Sequence, residues 1–517
     1  MSVRLSFGTA GIRAKVGPGD DRLNEETLSA VIGALCAYLR ERDPSAADAV
    51  ARAGVCIGFD GRADSAVFAS IAVGVVRVHG LRSRAFAQPV PTPLLAYATR
   101  LHGAAAGIMV TASHNPADDN GIKIYLAGGA QLGAPHDAEI TRRMIAYDPA
   151  TVVGRPVGAP VEALGEAEIE HYLDALIALV PGAVAPPPPF AYTALAGVGG
   201  ALTRRLVQRL GARDVLEVAE EAEPRSDFAG IREPNPEHAA ARARLCALMD
   251  AHGLGLGFAH DPDADRLAVV VRARSGALHA LSGDEVGALL GAFLLAEATE
   301  PTRCLLVSTL VSGGLLASIA RAHGARYERT PTGFKHIAAR GRALEAAEGL
   351  RFVLGYEEAI GYAFGSLADD KDGLAALRVL LALAARLAAE GRTLVDALDA
   401  LFVAHGVVAT RQITVAREAA GPDLLARLRQ VDPASLLGPG AHRVDHEAEP
   451  ERLPLVVLHG ARGDKLCARP SGTEPKLKLY LEAHADVAEP ARLDDAKRIA
   501  ARALDALEAG VRALISA

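Results

Sequence analysis

The chain has 517 residues, 50 % of them hydrophobic, so several domains with apolar cores are expected and a disordered chain is excluded. Its 55 Lys and Arg against 62 Asp and Glu leave a formal net charge of −7, with no dense basic run to follow a phosphate backbone, so nucleic acid is not an expected partner. The five cysteines (Cys36, Cys56, Cys246, Cys304, Cys467) are scattered without a CxxC pair and read as reduced, buried thiols of a cytoplasmic protein.

Met1 to Lys15 carries Arg4 and Arg13 and no unbroken apolar stretch, so it does not read as a secretion signal. Short apolar runs then alternate with helical patterns, the mark of βαβ units and mainly parallel sheets. Gly54 to Phe59 reads as a strand, Ser65 to His79 as a helix and Ala106 to Thr111 as a strand ending in a polar loop. The run Ala185 to Pro189 contains four consecutive prolines and separates the chain before about Gly182 from a second domain. Strands Phe190 to Ala194, Gly255 to Ala259 and Leu267 to Val271 belong to that domain, the last two flanking an Asp-rich loop. Ser282 is a candidate N-cap for a helix over Glu285 to Ala296. Cys304 to Ala320 holds three serines, a threonine and Gly313-Gly314, so it reads as strand, turn and helix rather than a membrane span, and no membrane association is expected. Phe352 to Leu354 and the Leu374 to Ala389 helix complete this part. From Val407 on, strands, the Gly438-Pro439-Gly440 turn and a final helix from about Pro490 describe a smaller α+β unit. The expected domains are 1–182, 183–280, 281–405 and 406–517.

Four loops hold unusual chemistry. Asp261, Asp263 and Asp265, in the run His260 to Arg266, stand at i, i+2 and i+4. Pro262 favours an extended conformation before it, in which alternate side chains share a side; three converging carboxylates without compensation then call for a hard divalent cation. A calcium EF-hand loop is excluded, because Arg266 and Arg272 occupy its glycine and glutamate positions. A solvated acidic turn is the plainer alternative. In Thr111-Ala112-Ser113-His114-Asn115-Pro116, Ser113 follows a buried strand and is placed for nucleophilic or carrier chemistry, although an ordinary turn serine fits the same residues. The hydrolase elbow G-x-S-x-G is absent. In Arg469 to Lys476, hydroxyls, a glycine and cations suit a phosphate cradle, with Lys478 two residues on; a surface turn suits them equally. Glu357 and Glu358, in Gly355 to Tyr362, suit sugar hydroxyls or merely a solvated strand end.

Together the four loops resemble, in order and over nearly the whole chain, the α-D-phosphohexomutase superfamily, which includes phosphoglucomutase, phosphomannomutase and phosphopentomutase. TASHNP (Thr111 to Pro116) resembles its phosphoserine loop, DPDADR (Asp261 to Arg266) its magnesium loop, GYEEAIG (Gly355 to Gly361) its sugar loop and RPSGT (Arg469 to Thr473) its phosphate-binding loop. FGTAGIR (Phe7 to Arg13), GIKIY (Gly121 to Tyr125) and DKDG (Asp370 to Gly373) resemble segments that carry an active-site arginine and two acid/base lysines.

The resemblance implies an α/β protein of four domains, three related α/β domains and a C-terminal TBP-like α+β domain around one cleft. It implies Ser113, His114, Lys123, Lys371 and Arg13 as catalytic; Ser113, Asp261, Asp263 and Asp265 as Mg²⁺ ligands; Arg266, Gly333, Glu357 and Glu358 as substrate-binding; and Arg469, Ser471, Gly472, Thr473 and Lys478 as phosphate-binding. The implied activity is a cytoplasmic phosphoglucomutase, monomer or dimer, acting on a phosphorylated sugar with glucose 1,6-bisphosphate as activator and intermediate. Phosphopentomutase and phosphomannomutase are alternatives; a phosphatase or a non-catalytic sugar-phosphate binder are more distant ones. Tyr356 with Ala359, where many glucose-specific members have Ser, resembles the subgroup containing phosphoglucomutase 2 and phosphopentomutase. Thr332 to Lys335 resembles that subgroup's third-domain loop.

Overall fold

The computed structural model describes residues 3–8, 10–148, 161–182, 185–365, 367–416, 424–448, 453–470 and 476–516. The first sheet contains β1 (Ile12–Lys15), β2 (Val55–Phe59), β3 (Ser83–Phe86), β4 (Ala106–Val110), β5 (Asp119–Leu126), β6 (Ala130–Gln131) and β7 (Glu162–Leu164). Their order is β1-β5-β4-β2-β3-β7, with β6 beside β5. β2, β3, β4 and β7 run parallel, and β5 and then β1 close one side antiparallel. All five residues of β2 and of β4 are buried, which explains why they read as continuous apolar runs rather than alternating ones.

The second sheet repeats this plan. β8 (Phe190–Thr193), β9 (Val215–Glu217) and β10 (Leu256–His260) are parallel, while β11 (Leu267–Arg272) and β12 (Leu278–Ala280) return antiparallel, in the order β12-β11-β10-β8-β9. The outermost strand is the exception: β12 follows its hairpin in the chain, whereas β1 precedes the first sheet's other strands. The proline run lies between the helix Glu166–Ala178 and β8, in no regular element.

β13 (Cys304–Thr309) and β14 (Arg326–Thr330) form a parallel pair, and β15 (Arg351–Glu357) with β16 (Gly361–Ala363) an antiparallel hairpin. The helix Gly373–Ala389 starts at Asp372, whose carboxylate accepts from the Ala375 amide, and is buried around most of its circumference. The last sheet is wholly antiparallel: β17 (Val407–Ala416), β18 (His442–Asp445), β19 (Val456–His459), β20 (Lys465–Pro470) and β21 (Lys476–Ala485), ordered β17-β21-β20-β19-β18. Its closing helix begins after a 3₁₀ turn, Pro490–Arg492, and spans Leu493–Ser516; Leu504, Leu507 and Val511 pack on Leu479 and Leu481.

The chain forms two compact units, Met1–Gly283 with Gly333–Arg392, and Asp284–Thr332 with Thr393–Ala517, so the division runs through the 281–405 segment. All five cysteines are free, and Cys246 is half-buried rather than buried. Among the described residues no helix is long and apolar enough to cross a membrane.

Candidate active site

In the first unit three hairpins carry most of the candidate site residues: β4–β5, β10–β11 and β15–β16. Each connecting loop holds one non-glycine residue in the left-handed region, Ser113 at φ 54°, Ala264 at φ 57° and Ile360 at φ 55°. Such backbone is sparsely populated for side-chain-bearing residues and marks loops held by their surroundings. This corrects the expected geometry of the acidic loop. Asp261 to Ala264 is a turn, closed by the Ala264 amide on the Asp261 carbonyl at 2.9 Å, and not an extended segment.

The turn nevertheless gathers the acids. One oxygen from each of Asp261, Asp263 and Asp265 lies within 4.8 Å of the others, and all three side chains are fully buried. The carboxylates are also compensated in part, contrary to the expectation of three converging carboxylates without compensation. Lys123 Nζ donates to Asp263 Oδ2 at 2.5 Å and also to Asp265 Oδ2. Lys371 Nζ lies 3.0 Å from Asp265 Oδ2, the Thr92 hydroxyl donates to Asp263 Oδ2 at 2.6 Å, and the Arg266 amide donates to Asp261 Oδ1 at 3.0 Å. Asp263 Oδ1 and Asp265 Oδ1 remain buried with no hydrogen-bond partner. Two orphaned anionic oxygens inside a three-carboxylate cluster suit a hard divalent cation and are costly without one.

The charges set the protonation pattern. Burial, then Asp263 and Asp265, push the Asp261 carboxyl well above its ordinary range. Burial pushes Asp265 up as well, but Lys123, Lys371 and Arg266 outweigh it and hold that carboxyl low.

Ser113 is buried, and its Oγ donates to Asp261 Oδ2 at 2.9 Å and lies 3.1 Å from His114 Nδ1. Burial, followed by Arg266 and Arg13, lowers the His114 pKa far below its usual value, so the imidazole is neutral at pH 7. Arg13 donates to Asn115 Oδ1 at 3.0 Å, at the far side of the same turn. Neither lysine is the exposed side chain that most lysines are. Lys123, in the middle of β5, is 1 % exposed. Lys371 is buried beside Asp370 and over the Phe334 ring, and Asp265 and Asp370 overcome its desolvation to raise its pKa.

Glu357 Oε1 accepts the Gly333 amide at 2.6 Å, so this carboxylate and Gly333 act on one another. Burial, then Glu358, raise the Glu357 pKa. The Leu267 amide donates to the Ile360 carbonyl at 3.1 Å, and Arg266 and Gly361 form a bridge, which fastens the β15–β16 hairpin to the acidic loop. Gly373 permits a further approach: a Cβ there would sit 2.7 Å from the Arg266 carbonyl oxygen and 2.8 Å from that of Ala264.

In the second unit Arg469 and Lys478 are cross-strand partners in β20 and β21, and Arg469 donates to the Tyr480 hydroxyl at 3.2 Å. Ser471, Gly472 and Thr473 lie outside the described residues.

Several site residues escaped the sequence reading. Asp60 and Arg62 follow β2 and hold the Ser113 turn from beneath; Thr92 touches Asp263; Tyr125 donates to Asp370 at 2.9 Å and Tyr172 to Asp372 at 2.7 Å. Only the first pair had a signal, two charges directly after a fully apolar strand of a parallel sheet, the end at which such sheets carry ligands.

Family models described as phosphoglucomutase/phosphomannomutase α/β/α domains I, II and III match residues 4–150, 170–276 and 282–404, and the C-terminal domain of that family matches residues 447–500. A Haemophilus influenzae protein named "Probable phosphomannomutase" is 33 % identical, over 89 % of this chain and 93 % of its own. A Staphylococcus epidermidis phosphoglucomutase is 30 % identical over 94 % and 92 %, and a Mus musculus phosphopentomutase 30 % over 93 % and 84 %. Among solved structures, a phosphoglucomutase/phosphomannomutase family protein from Burkholderia thailandensis matches with a TM-score of 0.71 at 23 % identity, over 97 % of both chains, a likeness of fold.

Proposed function

The chain belongs to the phosphoglucomutase/phosphomannomutase family of phosphohexomutases, and from that premise we propose that it interconverts glucose 1-phosphate and glucose 6-phosphate through a phosphoserine at Ser113 and a bisphosphorylated sugar. The observation that carries the reading is the meeting of Ser113 Oγ with Asp261 in a buried cluster that also holds Lys123, Lys371 and two orphaned carboxylate oxygens.

Phosphoryl transfer depends mainly on positioning and on neutralising the equatorial oxygens. Asp261, Asp263, Asp265 and the Ser113 phosphate would hold Mg²⁺, which supplies part of that neutralisation. In the forward step the bond between phosphorus and Ser113 Oγ breaks while one forms to the free hydroxyl of the sugar monophosphate. The hydroxyl proton passes to a neighbouring base. His114, held neutral, is the candidate to take it; Lys123 moves the proton or offsets charge, and Lys371, held cationic by Asp265 and Asp370, offsets charge. Arg13 and Arg266 steady the transferring group. The bisphosphate, which added as glucose 1,6-bisphosphate also activates the enzyme, then returns its other phosphoryl group to Ser113. Arg469, Ser471, Gly472, Thr473 and Lys478 hold the phosphate that is not reacting.

Glu357 and Glu358 select the sugar, with Gly333 fixing Glu357. A hydroxyl of inverted configuration forfeits a hydrogen bond to a charged group, roughly 1.5–3 kcal/mol, so glucose 1-phosphate should exceed mannose 1-phosphate by about one to two orders of magnitude in kcat/KM. Phosphopentomutase is the second reading, favoured by Ala359 and by the phosphopentomutase relative. Turnover of glucose, mannose and ribose 1-phosphates, each with the same bisphosphate activator and beside a free-phosphate assay, tests the assignment. Ribose well above glucose makes the enzyme a pentomutase, and mannose equal to glucose refutes the role given to the glutamates. Ser113→Ala should lose turnover and the single phosphate seen by intact mass; wild-type turnover in that variant would sink the phosphoserine route.

A further inference from the structure

Arg62 sits beneath the Ser113 turn with its side chain 1 % exposed, and all five of its N–H donors are used. Nε donates to Asp60 Oδ2 at 3.1 Å. Nη1 donates to the carbonyls of Pro116 and Asp119, each at 2.7 Å. Nη2 donates to the carbonyls of Ser113 at 2.6 Å and Asn115 at 2.8 Å. The plane of the guanidinium is covered by the Phe228 ring, whose centroid lies 4.9 Å from Cζ. One side chain thus ties both limbs of the loop between β4 and β5, and none of these donors is spent on the cluster of acids.

Asp60 completes the brace. Its Oδ1 accepts the Ser65 hydroxyl at 2.6 Å, and its Oδ2 accepts the Thr111 hydroxyl at 2.7 Å. Thr111 Oγ1 in turn accepts the Ser113 amide at 2.8 Å. Ser113 is therefore gripped on both sides of its left-handed backbone, its N–H by the Asp60–Thr111 relay and its C=O by Arg62. A serine at φ 54° relaxes to an ordinary conformation when such grips are removed, and its Oγ then points elsewhere.

We infer that Arg62 is a positioning residue for phosphoryl transfer, holding Ser113 Oγ aimed at the acidic cluster through four backbone carbonyls, with Asp60 and Thr111 as the second grip. The inference rests on the role proposed for Ser113. Lysine cannot replace Arg62, since three donors on a single nitrogen do not span four carbonyls and a carboxylate.

The test is Arg62→Lys in the full chain, read two ways. With the preferred sugar phosphate and its bisphosphate, kcat should fall about 100-fold while KM changes less than about threefold, the pattern of a misaimed nucleophile in an intact binding site. Amide hydrogen exchange of the 111–119 segment, measured without substrate, should accelerate at least about tenfold with the rest of the first unit unchanged. Thr111→Val, which cuts the relay and leaves Arg62 in place, should show the same split at about tenfold in kcat, and it decides the matter if Arg62→Lys does not fold. A kcat within threefold of wild type, a change confined to KM, or unaltered exchange of 111–119 overturns the inference. Absence of turnover in wild type would instead overturn the proposed function, and the exchange comparison would still decide whether Arg62 holds the loop.

Discussion

Two buried charge clusters, one in each compact unit, are built from similar residues and end in opposite states. In the second unit Glu482 Oε1 accepts the Gly314 amide at 2.9 Å and lies 2.7 Å from His484 Nε2, while Oε2 makes no hydrogen bond but lies 2.8 Å from the Lys465 ammonium. Lys465 spends a proton on the Ser312 carbonyl at 2.6 Å. One carboxylate is met by one ammonium, so the charges of the pair cancel. In the first unit three carboxylates face Lys123 and Lys371, and two oxygens stay without a hydrogen-bond partner. Buried charge is tolerated where an opposite charge offsets it and is costly where it is in excess. The second-unit cluster is therefore a balanced ion pair, whereas the first-unit cluster holds more carboxylates than ammoniums, an excess that a divalent cation would offset.

That difference is broken most severely by Asp263→Asn. Removing one of the three charges should lower mutase turnover at least about 100-fold at ordinary Mg²⁺, with partial recovery as Mg²⁺ is raised. Glu482→Gln should leave the turnover of folded protein within a few fold. Equal losses in the two variants would dissolve the distinction. On stability the ranking inverts. Glu482→Gln leaves the Lys465 ammonium buried without its counter-charge, which costs about 3–5 kcal/mol in a chemical denaturation of the second unit. Asp263→Asn should cost less, because it relieves repulsion as well as removing a partner of Lys123. Divalent cation separates the clusters by a third measure. Mg²⁺ at about 100 times its dissociation constant should stabilise the first unit by about 2.7 kcal/mol and the second unit not at all, with the gain much reduced in Asp263→Asn. Full activity of wild type in excess chelator would remove the metal role of all three aspartates.

The sequence made some of this legible and hid the rest for definable reasons. Buried parallel strands such as β2 and β4 announce themselves as unbroken apolar runs, and the acidic, serine and glutamate loops stand out because polar residues directly follow them. The gathering of Asp261, Asp263 and Asp265 was legible, but by the wrong geometry: alternation in an extended loop predicts it, whereas a turn with Ala264 left-handed produces it. The two lysines inside the cluster were invisible as such, since Lys123 and Lys371 are separated from their partners by 140 and more than 100 residues. Arg62 is harder still. Four of its five hydrogen bonds are to backbone carbonyls, which every residue possesses, so no residue type marks the partner.

The smallest effect is also the most discriminating, because it has opposite sign in the two units. Burial pushes Glu482 up, but Lys465 and His484 outweigh it and bring its pKa down to about 2. A carboxyl depressed in the folded state adds stability above its ordinary value of 4.5, and this is lost as pH falls from there towards about 2. Asp372 in the first unit shows the reverse. Burial raises its pKa to about 6 although the Ala375 amide and the Tyr172 hydroxyl both favour the anion. Its folded form therefore binds the proton more tightly than the unfolded chain does, so its contribution is greatest below 3.8 and is lost as pH rises through about 6. Each arm is of order 1–3 kcal/mol. Hydrogen exchange of the 373–389 helix, corrected for intrinsic rates, should show protection declining between pH 4 and 6, while β21 in residues 476–485 gains protection as pH rises from 2 to 4.5. Asp372→Asn keeps acceptors for Tyr172 and the helix N-terminus, so it should flatten the first slope and leave the helix better protected at pH 7. Glu482→Gln should flatten only the second. Slopes of the same sign in both segments, or an Asp372→Asn helix that still loses protection above pH 4, would show that these carboxyls do not govern the response of their units to acid.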